Sequence, residues 1–239
     1  MIVRFGILAA LLSAAPSTAT PPSATPPSAT PPSAIPALRH AWPGDALGRV
    51  ESLAALQALE IDLLTRDSAT LALDDWCAAH RIDAQGSKIV ADRDSSVTKA
   101  PTADQRRQLR VSDREPIRYR RVRLRCGSHI LSEADNWYVP SRLTPAMNAA
   151  LDHSDIAFGR VVQPLHFRRQ TLSARLLWSP LPIGWDHGTP IVGATPTLEI
   201  PEHVIENRAL LVTPTGTPFS EVVETYTRTI LDFAPPTLK

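Results

Sequence analysis

The feature that most constrains the fold is a change of hydrophobic period at Ile117. Residues 118–126 read Arg-Tyr-Arg-Arg-Val-Arg-Leu-Arg-Cys and alternate polar with apolar side chains, which is the two-residue period of a half-buried strand. Gly127 and Ser128 then offer a tight turn, and residues 129–139 return as a partner strand. This pattern is typical of a β-hairpin. The middle of the chain therefore predicts antiparallel sheet.

The segments before the hairpin have the helical period instead. Apolar residues recur three or four positions apart over residues 44–66, which predicts an amphipathic helix. Asp67 and Ser68 interrupt this pattern, and either can cap a second helix that carries Trp76 and Cys77. The N-terminal part of the folded region is therefore expected to be helical.

The remaining segments are shorter. Thr144 followed by Pro145 predicts a helix over residues 145–152. The last apolar segment also fits a helix, but its Val, Thr and Tyr residues favour a strand. Together these elements predict an α+β domain. The other expected elements are a polar loop at 81–115 with one short strand at 88–91, an apolar turn at 156–162, a strand at 165–178, a long Pro- and Gly-rich connection at 179–203, and a final hairpin of 207–213 with 219–231.

The first 43 residues differ in composition from the rest. Residues 1–19 contain a short positive region, about ten apolar residues and a small-x-small site, the parts of a secretory signal peptide; an uncleaved anchor is the alternative. Residues 20–43 begin with Thr-Pro-Pro-Ser-Ala repeats, which favour an extended chain without a core. We therefore expect a signal peptide, a disordered leader and one domain over 44–239. The protein would be periplasmic or secreted, with no membrane span after cleavage.

Composition excludes several classes of function. The net charge of +1 gives no global field that attracts nucleic acid or acidic membranes. The two cysteines, Cys77 and Cys126, form no CxxC motif, and either a disulfide or two buried thiols fits their positions. The chain has no GxSxG, P-loop or GxGxxG motif, and its seven histidines have no metal-binding spacing. No metal site is predicted.

Two sets of charged residues are candidates for a ligand site. Alternation places Arg121, Arg123 and Arg125 on one face of the first hairpin strand. A solvated face explains most of these arginines, but one arginine inside a cavity would bind a carboxylate through two hydrogen bonds. Glu221 and Glu224 lie near the C-terminus. On a strand they face opposite ways, so at most one of them can share a pocket with the arginine.

Five short motifs occur in a fixed order over roughly residues 50–232. Their order and spacing are similar to those of the chorismate lyase family. The motifs are Asp67-Ser68-Ala69-Thr70 after a Leu-Leu pair, the arginine-rich hairpin that ends in Val139-Pro140, Phe158-Gly159-Arg160, the turn Gly216-Thr217-Pro218, and Glu224-Thr225-Tyr226.

The resemblance implies an antiparallel sheet with helices packed over one side and one buried ligand site. Chorismate lyases split chorismate into 4-hydroxybenzoate and pyruvate without a metal or an organic cofactor. By position, Arg121 would hold the leaving group and Glu224 the ring hydroxyl, as the catalytic residues. The resemblance further implies five ligand-binding residues: Ala69, Asn136, Phe158, Gly159 and Arg169.

The register of the strands leaves two of these assignments open. Arg120 is the alternative to Arg121, and Glu221 to Glu224, because a one-residue slip moves a side chain to the other face of the sheet. The family's second arginine, four residues before the strand-ending proline, falls on Asn136.

Three hypotheses about function therefore remain. The first is an exported lyase-like enzyme that acts on chorismate or a related enol ether. The second is a non-catalytic binder of a small aromatic carboxylate, like the effector domains of some regulators, although no helix-turn-helix is recognised here. The third is a structural protein that has lost the pocket. The feature that discriminates them is whether one arginine and one glutamate converge in a closed, concave site. An open sheet face with solvated arginines would favour the third hypothesis, and a closed pocket with an arginine but no facing carboxylate would favour the second.

Overall fold

The computed structural model describes residues 35–236, so the predicted signal peptide and the repeats up to residue 34 lie outside the described residues. The α-helices of this range are α1 (Ala46–Thr65), α2 (Ala69–His80), α3 (Ala103–Leu109), α4 (Pro145–His153) and α5 (Phe158–Val161). The strands of this range are β1 (Val90–Asp94), β2 (Arg118–Cys126), β3 (His129–Tyr138), β4 (Arg168–Leu176), β5 (His203–Val212) and β6 (Pro218–Thr227).

The strands form one sheet in the order β1-β2-β3-β6-β5-β4, and every neighbouring pair is antiparallel. Helices α1, α2, α5 and α4 contact one another in that order and form a layer. The main core lies between this layer and the sheet, with Leu59 and Leu73 from the helices and Val122 and Leu131 from the strands. The predicted α+β class, with an antiparallel sheet and helices packed over one side, is confirmed.

Local sequence signals explain where the predicted elements begin. Ser68 is the N-cap of α2, and its side chain accepts from the Leu71 backbone N–H. Thr144 caps α4, with Pro145 in the first turn. The predicted tight turn between β2 and β3 places Gly127 at φ +57, in the left-handed region that glycine tolerates. The final apolar segment is strand β6, as its composition favoured.

Helix α3 is an element that the sequence reading missed. We assigned this region to the polar loop, but Thr102 and Gln105 form a reciprocal capping box at its start. The motif Thr-Ala-Asp-Gln is the sequence signature of such a box, so the signal was present. Helix α3 packs on β6 from the opposite face of the sheet, where Gln105 contacts Glu221.

The predicted domain boundary at residue 44 is wrong. Residues 35–43, which we assigned to the disordered leader, pack on the core, and Trp42 is almost completely buried. Its indole Nε1 donates to the Leu231 carbonyl at 2.9 Å, and Arg39 Nε donates to Asp232 Oδ2 at 2.8 Å. Large apolar residues and an ion pair to the buried carboxylate of Asp232 therefore extend the folded domain to residue 35.

A disulfide joins Cys77 in α2 to Cys126 at the end of β2, which decides between the two alternatives that the sequence left open. It connects the helical layer to the sheet across 49 residues of sequence. Within the described range, no helix combines the length and the apolar character needed to cross a bilayer.

Candidate ligand-binding cavity

A small enclosed cavity lies between the sheet and the N-terminal ends of α2 and α5. Its volume is about 40 Å³, which is room for about three water molecules. Its walls are apolar for the most part, with aromatic rings from Phe158 and Phe167. The polar lining residues are Asp67, Ser68, Thr70, Arg120, Asn136, Arg169 and Glu224.

The arginine of β2 in the cavity is Arg120, and the prediction of Arg121 is therefore corrected. Arg120 shares a face with Val122 and Leu124, and all three line the cavity. Arg121 lies on the opposite face, where its guanidinium contacts Asp135 at 3.2 Å and Glu133 at 3.4 Å. Alternation along a strand separates the two arginines.

Of the two candidate glutamates, Glu224 lines the cavity. Glu221 lies on the opposite face of the sheet and is fully buried there. Its carboxylate accepts from Arg208 Nε at 2.8 Å and from Gln105 Nε2 at 3.2 Å. Glu221 is thus part of the packing under α3 and is excluded from the cavity.

Glu224 is held by two partners. Its Oε2 accepts from Arg169 Nη2 at 2.5 Å and from the Tyr226 hydroxyl at 3.1 Å. Burial opposes the charge of Arg169, but the neighbouring carboxylate outweighs burial and raises the pKa of the guanidinium. Burial, with the added effect of Glu224, raises the pKa of Tyr226 well above its usual value. Arg169 and Tyr226 are therefore the two donors that hold the Glu224 side chain in the cavity.

Arg120 is a buried cation without a partner of opposite charge among residues 35–236. It is 3% exposed, and its Nε and Nη1 have no hydrogen-bond partner. Its Nη2 reaches only the Ile156 carbonyl, at 3.4 Å. Burial and then the charge of Arg93 lower the pKa of this guanidinium. Isolated buried charges are costly unless an opposite charge accompanies them.

The buried charges of the cavity therefore do not balance. The Arg169 and Glu224 side chains are 3% and 9% exposed and neutralise each other, which leaves the buried charge of Arg120. The fourth charged lining residue, Asp67, is exposed and accepts from the Arg169 backbone N–H at 3.1 Å. The first turn of α2 contributes Ala69 and Thr70 to the lining, and a helix N-terminus adds partial positive charge. The cavity is consequently suited to an anion.

The residues that the resemblance implied as ligand-binding all line the cavity. Asn136 is the residue opposite Arg120 on β3, and its Oδ1 accepts from the Ser220 hydroxyl at 2.7 Å. Gly159 allows α5 to approach α2, since a Cβ there would lie 2.6 Å from Ser68 Oγ. Ala69, Asn136, Phe158, Gly159 and Arg169 meet in one place.

Arg160 of the third motif faces away from the cavity. It pairs with the buried carboxylate of Asp74 at 2.5 Å, and Asp74 also accepts from the Ile89 backbone N–H at 2.7 Å. This arrangement anchors α5 to α2 and to the chain before β1. Arg160 therefore has a positioning role for the wall that Phe158 and Gly159 form.

Several lining residues were missed in the sequence. Phe167, Leu211 and Val222 contribute apolar wall, and Tyr226 supports Glu224 from the same strand face. One signal was available for the arginine: Arg120 has the same parity as the apolar residues Val122 and Leu124. An even-numbered arginine on this strand faces the same side as Val122 and Leu124. The positions of these core residues therefore identify the buried face better than the clustering of arginines does.

No protein-family model matches the chain. A search of curated proteins finds the uncharacterized protein y4mC of Sinorhizobium fredii (strain NBRC 101917 / NGR234), which is 48% identical over 238 residues, 99% of this chain and 94% of the relative. The chain belongs to the y4mC family. The aligned region covers nearly the whole of both chains, so it contains the N-terminal segment and the residues of the cavity.

Among solved structures, the chain is similar to PhnF and to YydK. PhnF from Mycobacterium smegmatis is 14% identical, with a TM-score of 0.44 over 74% of this chain and 71% of that chain. The possible transcriptional regulator YydK from Bacillus subtilis is 13% identical, with a TM-score of 0.38 over 66% of this chain and 64% of that chain. The chain thus spans slightly less than two thirds of YydK. These likenesses concern the fold.

Proposed function

We propose that this y4mC family member binds a small aromatic carboxylate in the cavity, without converting it. The observation that carries the proposal is the buried Arg120 guanidinium, with two nitrogen atoms free of hydrogen-bond partners among the described residues. A carboxylate accepts two parallel hydrogen bonds from such a group. Phe158 and Phe167 supply the flat apolar walls that suit an aromatic ring.

Glu224 determines which chemical group is expected at the other end of the ligand. It lies two strands and two residues from Arg120, so the two Cα atoms are about 12 Å apart. Glu224 Oε2 accepts from Arg169 and Tyr226, and the other oxygen atom of this carboxylate can accept a hydrogen bond from a ligand. A hydroxyl on the ring, opposite the carboxylate, would be its donor. The expected ligand class is therefore a hydroxylated aromatic acid.

The cavity must open before such a ligand can enter. Pockets for small organic ligands are typically about 300 Å³ or larger, and this cavity is about 40 Å³. Helix α5 has four residues and forms one wall through Phe158. Movement of α5 relative to α2 would enlarge the cavity without disturbing the sheet.

The second candidate function is cleavage of chorismate or a related enol ether. One observation favours it: an arginine and a glutamate line the same enclosed cavity, as the resemblance to the lyases requires. Two others favour binding alone. Glu224 is already engaged by Arg169 and Tyr226, and a general acid or base must be free to reach the proton of the substrate. Asn136 also lacks the charge that would clamp a second carboxylate.

Two measurements on the full-length chain separate these functions. The first is calorimetric titration with 4-hydroxybenzoate, using Arg120→Gln as the test variant and Arg121→Gln as the matched control. We expect binding that Arg120→Gln weakens at least tenfold and Arg121→Gln leaves unchanged. The absence of binding by the unmodified chain would overturn the proposal.

The second measurement is incubation with chorismate, followed by assay of 4-hydroxybenzoate and pyruvate together. The binding proposal expects neither product. Equal amounts of both products, lost in Arg120→Gln and Glu224→Gln, would establish the lyase instead.

We further propose that the protein is exported. The composition of residues 1–19 supports this proposal, and so does the Cys77–Cys126 disulfide, because structural disulfides are common outside the cytoplasm and rare within it. The test is expression of the full-length chain in a Gram-negative host, osmotic extraction of the periplasm and mass measurement. We expect a periplasmic product shortened near residue 19. An intact chain in the cytoplasm would contradict export.

A further inference from the structure

A second pocket lies on the other side of Arg120 from the cavity. It has a volume of about 310 Å³ and is open to solvent. We call it the outer arginine pocket and define it by Arg93, Arg118, Arg120, Tyr138 and Asp152. Arg120 is the residue that this pocket shares with the cavity.

The charges of the outer arginine pocket are unbalanced among the described residues. Three guanidinium groups face one carboxylate, which leaves two positive charges. The carboxylate of Asp152 is already engaged, since its Oδ2 accepts from Arg118 Nη1 at 2.8 Å. Arg93 donates only to the Asp152 backbone carbonyl, also at 2.8 Å. Neither Arg93 nor Arg120 has a carboxylate partner in the described part of the chain.

The three arginines differ in burial. Arg120 belongs to β2 and is only 3% exposed, and two of its nitrogen atoms have no hydrogen-bond partner among the described residues. Arg93 and Arg118 are exposed and their long side chains can adjust. A fixed buried donor flanked by two adjustable ones is suited to enclosing a small anion. The charge of Arg93 lowers the pKa of Arg120, a repulsion that an anion between them would relieve.

We infer that the outer arginine pocket is a second binding site, specific for a doubly charged tetrahedral oxyanion of the phosphate or sulfate class. The two excess positive charges match a dianion. Guanidinium groups bind the oxygen atoms of such anions through paired, charge-assisted hydrogen bonds. Three arginines approaching from different elements, β1 and β2, can contact three oxygens of one tetrahedral group. Because Arg120 lines both sites, the inference concerns the chain with no carboxylate bound to Arg120 in the cavity.

The experiment is calorimetric titration of the full-length chain with inorganic phosphate and, separately, with sulfate, in a chloride-containing buffer. We expect both anions to bind more tightly than chloride. Arg93→Gln and Arg118→Gln should each weaken binding about tenfold, since each removes charge-assisted hydrogen bonds to the anion. The matched control is Arg175→Gln, an exposed arginine of β4 that pairs with Glu206 and should leave binding unchanged.

A variant that is expected to tighten binding keeps the test independent of folding defects. Asp152→Asn removes the only carboxylate of the pocket and should tighten phosphate binding several-fold. Phe158→Ala should affect 4-hydroxybenzoate and leave phosphate binding unchanged, which distinguishes the two sites. The inference is overturned if phosphate and sulfate bind no better than chloride. It is also overturned if Arg175→Gln weakens binding as much as Arg93→Gln, or if Asp152→Asn weakens it.

Discussion

Arg120 and Arg121 are adjacent in the chain, yet their guanidinium groups lie on opposite faces of the sheet. Arg121 is paired with Asp135 and Glu133, whereas Arg120 is buried without a carboxylate partner among residues 35–236. In the first arrangement two carboxylates compensate the charge of the guanidinium. The second arrangement is unfavourable for the protein without a ligand. Arg121 therefore fits a structural role, and Arg120 fits a binding role.

Replacement of Arg120 by methionine should stabilise the protein. Arg120→Met removes an uncompensated buried charge and retains an apolar chain of similar length, so the free energy of unfolding should rise by about 1 kcal/mol or more. The same variant should lose 4-hydroxybenzoate binding. Urea denaturation measures the first effect. Arg175→Met, the control at an exposed ion pair, should change stability by less than about 1 kcal/mol. A loss of stability in Arg120→Met would show that Arg120 is structural.

Removal of the disulfide should destabilise the domain. The variant Cys77→Ala/Cys126→Ala removes a cross-link between two positions 49 residues apart, so the unfolded chain gains conformational entropy. The free energy of unfolding should fall by about 2–5 kcal/mol. The measurement is urea denaturation with and without a reducing agent. The reductant should lower the stability of the unmodified protein and leave the double variant unchanged. Equal sensitivity of both proteins would contradict the bond.

The segment before α1 should contribute to stability. Trp42→Ala removes a buried indole and its hydrogen bond to Leu231, and we expect a loss of about 3–5 kcal/mol. Ala41→Ser, an adjacent exposed position, is the control and should have little effect. Thermal unfolding measures both. If Trp42→Ala matched the control, residues 35–43 would not be part of the folded domain.

The ion pair of Arg160 and Asp74 should stabilise the folded protein. Arg160→Ala leaves a buried carboxylate without its cation, and the expected loss is about 3 kcal/mol. Because the pair anchors α5, the variant should also weaken 4-hydroxybenzoate binding. A double-mutant cycle with Asp74→Asn measures the coupling between the two residues. Additive effects of the two substitutions would argue against a direct interaction.

Stability should decrease as the pH falls below about 6.5. Burial lowers the pKa of His80 from its ordinary value of 6.5, where its ring packs 4.0 Å from those of Trp76 and Phe233. The unfolded chain therefore takes up a proton that the folded chain does not, and protonation favours unfolding. Urea denaturation at pH 7.5, 6.5 and 5.5 measures the slope.

His80→Gln should reduce this slope. His129 should preserve part of it, because burial also lowers the pKa of His129. His187→Gln is the control, at an exposed position, and should leave the slope unchanged. If the slope were the same in His80→Gln and in the unmodified protein, His80 would not be its source.

Much of the fold could be predicted from local patterns. The two-residue period after Ile117, the capping residues Ser68 and Thr144, and the glycine of the first turn each act within a few residues of sequence. Their effects on the backbone are therefore readable without the rest of the chain. The same holds for helix α3, whose capping box was present in the sequence although we assigned the region to a loop.

The sequence by itself determined the elements, the class of the fold and most residues of the candidate site, because periodicity and motif order are properties of the chain alone. The tertiary structure decided which arginine and which glutamate share the cavity, since that depends on which strand face the helices cover. It also decided that Arg169 neutralises Glu224 and that Arg120 has no such partner in the described residues. Those pairings join residues up to 55 positions apart, and no local pattern in the chain specifies them.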